Sequence, residues 1–320
     1  MSQPPPDFPD DDSPQPAPSW SGPGVPPYYW ATMPAGDPRF LPGDPLVSPD
    51  FSGWWRRGFA VVRRGWRPLA LVQLCTAVPT LALMIPAQLF VDFANRDLTT
   101  DAAGGGAVDF GHFLAASGMS LLATLVATLV FAIGSLVTMT LVVAIATGAQ
   151  ARIGTAVRGV LPRIPALIGW SLVAALILTA ALFACVLPVF YVGAVFVVLT
   201  PVVLFERGGA IGRCFNLFHT DIGAAVARIA TIAGVSIAIS LAFAAVSAAV
   251  TLLVGGASFS DPFAVADTGA MVVSSVTGTV LSTVASLICG VVLTPLIVAT
   301  YADLRARREP FTTADLISQQ

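Results

Sequence analysis

The chain has 320 residues, of which 56% are hydrophobic and only 11% are charged, with a formal net charge of −2. Soluble domains carry about 25% charged residues, so this composition excludes an ordinary soluble domain and indicates several membrane spans. All sixteen basic residues are arginine, which is typical of high-GC bacterial genomes. We expect a bacterial membrane protein with no nucleic-acid partner.

The first segment, residues 1–48, is acidic and rich in proline. Fifteen of the 25 prolines of the chain lie within residues 1–49. Low hydrophobicity and frequent proline prevent a packed core. We therefore predict a disordered cytoplasmic tail over 1–48, through which a protein partner would bind.

The next segment, 49–67, has the pattern of an amphipathic helix. Ser48, Pro49 and Asp50 are typical of a helix start. An apolar stripe then follows at helical spacing, formed by Phe51, Trp55, Phe59, Val62 and Trp66. The rest of the circumference carries Arg56, Arg57, Arg63, Arg64 and Arg67. The pattern predicts an in-plane interfacial helix whose Trp55 and Trp66 enter the bilayer surface while its arginines bind anionic lipid headgroups. A plain basic flank of the first span explains the arginines too, but it does not require the aromatic stripe.

Six apolar stretches predict an all-α, six-helix transmembrane bundle within residues 49–308. The predicted spans are 68–91, 119–147, 164–187, 189–205, 225–254 and 271–300. Arginine occurs in alternate connections, with Arg96 as the one exception, and cytoplasmic loops retain Lys and Arg. We therefore predict a multi-pass protein of the bacterial inner membrane with both termini in the cytoplasm. Residues 309–320 are predicted to form a short cytoplasmic tail.

Three spans carry rows of small residues four positions apart. The rows are Ser120, Thr124, Thr128 and Ala132; Ser236, Ser240, Ala244 and Ala248; and Ser274, Gly278, Ser282, Ser286 and Gly290. Small residues let helices approach closely in lipid, so these rows are predicted to be helix–helix seams. The alternative is a polar lining for a path through the membrane.

A five-residue sequence occurs twice, as 197–201 and again as 291–295. Each copy ends in proline, Pro201 or Pro295, which removes a backbone hydrogen bond and is predicted to kink its helix. Interrupted helices at matching positions mark the binding sites of transporters. A small-solute or lipid transporter using helices 189–205 and 271–300 is therefore the alternative function, although chance recurrence in a Val- and Leu-rich chain explains the repeat equally well.

No constellation of catalytic or metal-ligating residues is apparent. His112 and His219 are predicted on opposite sides of the membrane, and the four cysteines are far apart and predicted to be buried and unpaired. The best polar candidates form a hypothetical cytoplasmic cluster of Glu206, Arg207, Asp303 and Arg305. The plainer interpretation is that these residues form salt bridges at helix ends. We predict no enzymatic activity, no cofactor and no metal.

Three stretches together resemble a known family. They are the entry 51–69, with Arg64-Gly65-Trp66-Arg67-Pro68-Leu69; the turn 201–211, with Phe205-Glu206-Arg207-Gly208-Gly209; and the ending 301–309, Tyr-Ala-Asp-Leu-Arg-Ala-Arg-Arg-Glu. Over 48–310 the chain is similar to the membrane domain fused to some bacterial glycerophosphoryl diester phosphodiesterases, and to stand-alone relatives of that domain.

The sequence departs from this family in two places. The aromatic and arginine-rich run after the turn is thinned to 213–219, and Pro310 stands where glycine is common. The phosphodiesterase activity of the family belongs to a separate soluble barrel, which no segment here has the residues to form. The resemblance therefore implies a non-catalytic membrane module, and we expect a scaffold associated with lipid that recruits a partner.

Overall fold

The structure is a computed structural model that describes residues 43–104, 110–184, 186–254 and 268–318, and every regular element in these ranges is a helix. The α-helices are α1 (Phe51–Gly104), α2 (Phe110–Ala146), α3 (Ile153–Val160), α4 (Ile164–Ala184), α5 (Val186–Phe196), α6 (Leu199–Phe205), α7 (Ala210–Thr220), α8 (Ile222–Val254), α9 (Thr268–Ala306) and α10 (Thr313–Ser318). The predictions for residues 1–42, for Cys185 and for 105–109 and 255–267 of the two predicted outer connections lie outside the described residues.

Six helical segments in the described ranges are long and apolar enough to cross a membrane, which confirms the predicted all-α, six-span architecture. They are Phe51–Thr99, Phe110–Ala146, Ile153–Ala184, Leu187–Phe205, Ile222–Val254 and Thr268–Ala306. The first is much longer than predicted because the entry helix and the first span are continuous. The third is longer because a 3-10 turn connects α3 directly to α4.

Successive spans end at alternate ends of the bundle. At one end Trp54 Nε1 donates to Thr300 Oγ1 over 3.1 Å. At the opposite end Ser275 Oγ donates to Asp92 Oδ2 over 2.5 Å, and Arg96 contacts Thr268 nearby. The first of these ends, called the arginine-rich end below, comprises 49–67, 147–163, 206–228 and 301–309. Apart from Arg96, the described arginines lie in these segments, as the alternation predicts.

The long helix α1 has a kink at Gly65, where the backbone dihedrals are −121° and 17°. Pro68 lacks the N–H that would bond to the carbonyl of Arg64, so the helix loses one bond here. A Cβ at Gly65 would lie 2.3 Å from Ile145 Cδ1, so α2 approaches closely at the same point. The missing bond and this close approach account for the kink.

The face of α1 that packs on the protein differs from the predicted apolar stripe. Trp54 is fully buried, and Gly58 lies so close to α9 that a Cβ there would come 2.4 Å from Leu296 Cδ2. Phe51 and Trp66, the two ends of the stripe, remain 44% and 53% exposed. The stripe therefore keeps its ends on the surface while a neighbouring face of the helix enters the core.

The hydrophobic core lies in the half of the bundle next to the arginine-rich end. Every residue of α2 from 136 to 143 is buried, whereas farther toward its beginning most residues are partly or fully exposed. Buried residues of α8 lie only within 225–232, and those of α9 lie mainly within 293–306. Over their whole lengths α2 and α9 contact each other far less than each contacts α1.

The two ends of the described chain pack together at the arginine-rich end. Asp44 accepts a 2.7 Å hydrogen bond from the backbone N–H of Thr313. Leu46 and Leu316 are fully buried and Phe311 nearly so. The packed structure thus begins ahead of the predicted boundary at residue 48, and it includes most of the segment predicted as a C-terminal tail.

The two copies of the repeated pentapeptide differ in structure. Two residues, beginning with Val197, separate α5 from α6, four residues before Pro201. This is the position whose carbonyl the proline leaves without a donor. Helix α9 runs without interruption through Pro295, where the adjacent Leu296 packs against Gly58 of α1. The helix is therefore interrupted at the first copy, whereas α9 remains a single helix through the second. The kink at Pro295 stays a prediction.

Candidate functional site

A buried ion pair joins α8 to α9 at the arginine-rich end. The Arg228 Nη2 and Asp303 Oδ2 atoms are 2.7 Å apart, and the two side chains are 2% and 0% exposed. Arg307 contacts Asp303 at 3.2 Å and also contacts Asp221. Its guanidinium further donates to the carbonyl of Pro49 over 2.8 Å. These residues are called the Asp303 network below, and they connect the starts of α1 and α8 to the end of α9.

Trp54 packs beside this network. The Arg228 guanidinium carbon lies 5.9 Å from the centroid of the Trp54 ring, within the range of a cation–π contact. Sequence analysis missed Trp54 because it falls between positions of the predicted stripe. It missed Arg228 because this residue lies near the beginning of the predicted span 225–254, apart from the other polar candidates. Its partner Asp303 is 75 residues away, so only the fold brings them together.

A second network lies beside the first and centres on Glu206. Glu206 pairs with Arg213 over 2.6 Å and accepts a 2.8 Å hydrogen bond from the hydroxyl of Tyr301. Arg213 also pairs with Glu309 over 2.7 Å, and Arg305 contacts Glu309 over 2.5 Å. Arg305 donates to the Tyr301 hydroxyl over 3.0 Å. These five residues are called the Glu206 network, and they fasten the turn after α6 to the end of α9.

The charged partners shift the pKa of several groups that lie outside the spans. Burial has the largest influence on the pKa of Glu309 and raises it, but the hydrogen bond from Arg305 and the charge of Arg213 together lower this pKa below its usual value. The hydrogen bond from the backbone N–H of Ala224 lowers the pKa of Asp221. Both carboxylates are therefore held in their charged form.

The predicted cluster of Glu206, Arg207, Asp303 and Arg305 is only partly assembled. Glu206 and Arg305 share the Glu206 network, whereas Asp303 belongs to the other network. Arg207 forms no ion pair with a described residue and instead lines a polar cavity of about 870 Å³ between α6 and α7, together with Arg163. Glu206, Arg207 and Asp303 do not share one site, and the residues that do converge form salt bridges with one another.

The arginines of the entry helix mostly remain on the surface. The guanidinium of Arg67 lies 5.5 Å from the centroid of the exposed Trp66 ring. Arg57 is half-buried. Trp55 is half-buried too and packs against Phe59, with the ring centroids 4.5 Å apart and the rings tilted by 45°. The exposed arginines are Arg56, Arg63, Arg64 and Arg67. None of the five arginines forms an ion pair with another residue in the described part of the chain, so four of them are available to an external anion.

Two cavities lie between the spans, on the side of the core away from the arginine-rich end. The first, of about 600 Å³, is called the Gln73 cavity and lies between α1, α2 and α9. Its lining consists of Gln73, Thr76, Ala77, Thr80, Met84, Gln88, Thr124, Ala127, Thr128, Phe131, Ser274, Ser275, Gly278, Thr279, Ser282, Thr283, Ser286 and Leu287. The second, of about 590 Å³, is called the Ser240 cavity and lies between α2, α6, α8 and α9. The two cavities adjoin, because both are lined by Phe131, Gly278, Ser282 and Ser286.

The rows of small residues line these cavities. Thr124 and Thr128 of the α2 row face the Gln73 cavity, Ser236 and Ser240 of the α8 row face the Ser240 cavity, and the α9 row faces both. The predicted seams are formed at only some of these positions: Gly290 faces the Gln73 amide of α1, and a Cβ at Gly278 would lie 3.6 Å from Ser247 Oγ of α8. At the positions that border the cavities, the alternative of a polar lining describes the surroundings better.

Gln73 closes the inner end of the first cavity, and sequence analysis missed it. The residue is 4% exposed, and its Nε2 donates to Thr138 Oγ1 over 3.1 Å. A Cβ at Gly290 would come within 2.6 Å of all three heavy atoms of the Gln73 amide group. Glycine at 290 thus makes room for the amide. One amide does not interrupt an apolar stretch of this length, so the available signal was one of two glutamines, Gln73 and Gln88, within the predicted span 68–91.

No three His, Cys, Asp or Glu side chains in the described ranges converge to hold a metal ion. Comparison of the chain with protein-family models, with curated proteins and with solved structures found no match in any of the three.

Proposed function

We propose that the protein is a non-catalytic module of the bacterial inner membrane that binds anionic lipid at its arginine-rich end and recruits a protein partner through its N-terminal segment. Both termini are then cytoplasmic. The observation that carries the lipid part is the surface of four exposed arginines on α1 without acidic partners in the described chain. This proposal agrees with the resemblance to the phosphodiesterase-associated membrane domain, which is itself a proposal.

The chemistry of this surface matches lipid headgroups. Each basic residue near an anionic bilayer contributes about 1 kcal/mol of binding free energy. Trp66, next to Arg67, is 53% exposed, and tryptophan prefers the bilayer interface. A surface that combines unpaired guanidinium groups with an exposed indole is therefore suited to phosphatidylglycerol or cardiolipin.

Lipid selectivity tests this part of the proposal. The full-length protein would be reconstituted in bilayers that contain fluorescent phosphatidylglycerol or phosphatidylcholine, and energy transfer from its tryptophans would report which lipid it enriches. The triple variant Arg63→Gln/Arg64→Gln/Arg67→Gln should lose most of the enrichment of phosphatidylglycerol. Arg158→Gln, which changes an exposed arginine on α3, is the matched control. Equal enrichment in the triple variant and the wild type would refute the lipid site.

Partner recruitment is tested by removing residues 1–42. This deletion is preferable to a longer one because Asp44 and Leu46 are part of the packed structure. Proteins that co-purify in mild detergent with the full chain but not with the deletion variant would be the recruited partners. An identical set of co-purifying proteins would remove the recruiting role.

Transport of a small solute or lipid is a second candidate, and the two adjoining cavities favour it. Both copies of the repeat contribute to the Ser240 cavity, the first through Val197 and Thr200 and the second through Leu293 and Thr294. Pro201→Ala should restore a continuous helix where α5 and α6 separate and abolish flux, while Pro295→Ala should have a smaller effect. Unchanged flux in Pro201→Ala would exclude this mechanism.

A further inference from the structure

The Gln73 cavity has the dimensions of a small-molecule site. Along α1 it extends from Gln73 to Gln88, which at 1.5 Å per residue is about 22 Å. On α9 it extends from Ser274 to Leu287. Its volume of about 600 Å³ falls in the range of about 300–1,000 Å³ typical of ligand pockets.

The lining combines uncharged polar side chains with apolar surface. Twelve of the eighteen lining residues carry a hydroxyl or a side-chain amide, none carries an ionisable group, and the exposed surface between them is more apolar than polar. A charged ligand would find no counter-charge among these residues, and a pure hydrocarbon would offer no donor to the hydroxyl and amide oxygens. The lining therefore favours a neutral occupant that has both C–H groups and hydroxyls.

The hydroxyl groups of the lining act mainly as acceptors. Each of several threonines and serines donates its proton to a carbonyl oxygen of its own helix, three or four residues earlier. Such bonds, 2.7–3.0 Å long, are made by Thr76, Thr80, Thr124, Thr128, Ser274, Thr279, Ser282, Thr283 and Ser286. The oxygen lone pairs stay available. An occupant that supplies several O–H donors complements this surface.

The amide of Gln73 has a defined orientation. The hydroxyl of Thr138 donates to the carbonyl of Gly134 over 2.7 Å, so its oxygen can only accept, and the Gln73 atom that faces it must be Nε2. This leaves Oε1 without a hydrogen-bond partner among the described residues. The Oε1 atom of Gln73 borders the cavity and keeps its lone pairs available there. A donor within the cavity would satisfy this acceptor.

An aromatic ring completes the lining. Phe131 lies where the Gln73 and Ser240 cavities adjoin, and 50% of its surface is exposed. The other apolar lining side chains are smaller or aliphatic. An aromatic face beside a row of hydrogen-bond acceptors suits a molecule whose C–H groups contact the ring while its hydroxyl groups donate to the acceptors.

From these features we infer that the Gln73 cavity is a binding site for a small, uncharged polyol, whose hydroxyls donate to the threonine and serine oxygens and to Gln73 Oε1 while its C–H groups contact Phe131. The site is distinct from the arginine surface, so it can fail without affecting the lipid proposal.

Protection of an engineered cysteine provides the test. The cysteine to be labelled is introduced as Ser286→Cys, at a position that lines both cavities. The natural Cys75, Cys185 and Cys289 would be replaced by alanine. Cys214 is fully buried and is retained. The full chain in lipid nanodiscs would be treated with a charged, membrane-impermeant methanethiosulfonate. The rate of cysteine modification would be measured in the presence of erythritol, sorbitol or dimethyl sulfone at equal osmolality. We expect erythritol or sorbitol to slow modification at least several-fold, whereas dimethyl sulfone, which has no hydrogen-bond donor, should leave the rate unchanged.

Two variants connect the protection to the lining. Gln73→Leu should raise the polyol concentration needed for half-protection by about tenfold, the change that corresponds to about 1.4 kcal/mol. The double variant Thr279→Val/Thr283→Val, which keeps side-chain volume, should also raise the polyol concentration needed for half-protection. It replaces Gln73→Leu as the test if that variant folds poorly. Gln150→Leu, at an exposed position, should have no effect. Leu253→Cys introduces a cysteine outside both cavities, at a position of α8 where the leucine is 85% exposed. Its modification rate in each polyol shows how much the viscosity of the solution alone slows the reaction.

The opposite results are clear. If Ser286→Cys reacts only with a lipid-soluble maleimide, the cavity holds lipid and the inference is wrong. It is equally wrong if the charged reagent reacts but neither polyol protects, or if both protect the Leu253→Cys control to the same extent.

Discussion

Arg228 and Asp303 lie 75 residues apart in the chain and form a 2.7 Å ion pair from which water is excluded. Two further charges, on Arg307 and Asp221, extend this pair to the protein surface. The pair lies where the hydrophobic core is most continuous, near the beginning of α8 and the end of α9. It therefore fixes the register of these two helices at one end of the bundle, while their opposite halves border the cavities.

Removing one partner of this pair should destabilise the protein strongly. Asp303→Asn leaves the buried Arg228 without a counter-charge, which is unfavourable by about 3–5 kcal/mol. We expect a large fall in the apparent melting temperature in detergent, measured by size-exclusion chromatography of heated samples. Arg228→Met should lower the melting temperature by a similar amount. Arg158→Met, which changes an exposed arginine, should leave it unchanged. The double variant Asp303→Asn/Arg228→Met should be less unstable than the sum of the single changes, and strict additivity would show that the pair is not coupled.

A methyl group at Gly290 should be poorly tolerated. The Cβ of Gly290→Ala would lie within 2.6 Å of the Gln73 amide, so the amide must move into the cavity and lose its hydrogen bond to Thr138. Leaving these buried polar groups unpaired is unfavourable by about 1–3 kcal/mol. Gly234→Ala on α8 is the matched control, since a Cβ there meets no atom within 4 Å. Alanine at an unhindered helical position is about 0.5–1 kcal/mol more favourable than glycine. The two variants should thus shift the melting temperature in opposite directions, and a stabilised Gly290→Ala would contradict the packing described here.

Hydropathy and arginine placement were sufficient to predict the spans and the end of the bundle at which their connections meet. Both depend on local sequence, because span length and loop charge are properties of contiguous residues. The partner of Arg228 could not be predicted in this way, because several other acidic residues at the same end, including Asp221 and Glu309, were equally eligible.

The rows of small residues show a different limit. Their spacing correctly predicted that Thr124, Ser240 and Ser282 lie on the inward faces of their helices, but it could not say what stands opposite. A small side chain permits close packing and equally leaves a cavity when no large one faces it. The distance between α2 and α9, which decides the outcome, depends on the packing of α1 against both helices.

Acidification should loosen the Glu206 network. The pKa of Glu309 is lowered in the folded protein by Arg305 and Arg213, despite the opposing effect of burial. A carboxylate with a lowered folded-state pKa stabilises the fold above its unfolded pKa, about 4.3 for Glu, and this contribution is lost as the pH falls through the folded value. Melting temperatures should be flat from pH 7 to about pH 5 and then decline. Glu309→Gln should have a lower melting temperature at pH 7 and a less steep decline below pH 5. Parallel melting profiles for the variant and the wild type would exclude a stabilising role of the Glu309 carboxylate.

The contact between Asp44 and Thr313 should hold the C-terminal segment against the start of the chain. Asp44 accepts from the backbone and the hydroxyl of Thr313, and its other interactions, with the N–H groups of Leu46 and Val47, fix its position. Asp44→Ala leaves those donors unpaired, which is unfavourable by about 1–3 kcal/mol. Local opening of 310–318 should become about tenfold more frequent, measured as faster proteolysis or amide hydrogen exchange confined to that segment. Asp97→Ala at the opposite end should leave the rates unchanged. If exchange in 310–318 is already fast in the wild type, the segment is not held by this contact, and the burial of Leu316 would need another explanation.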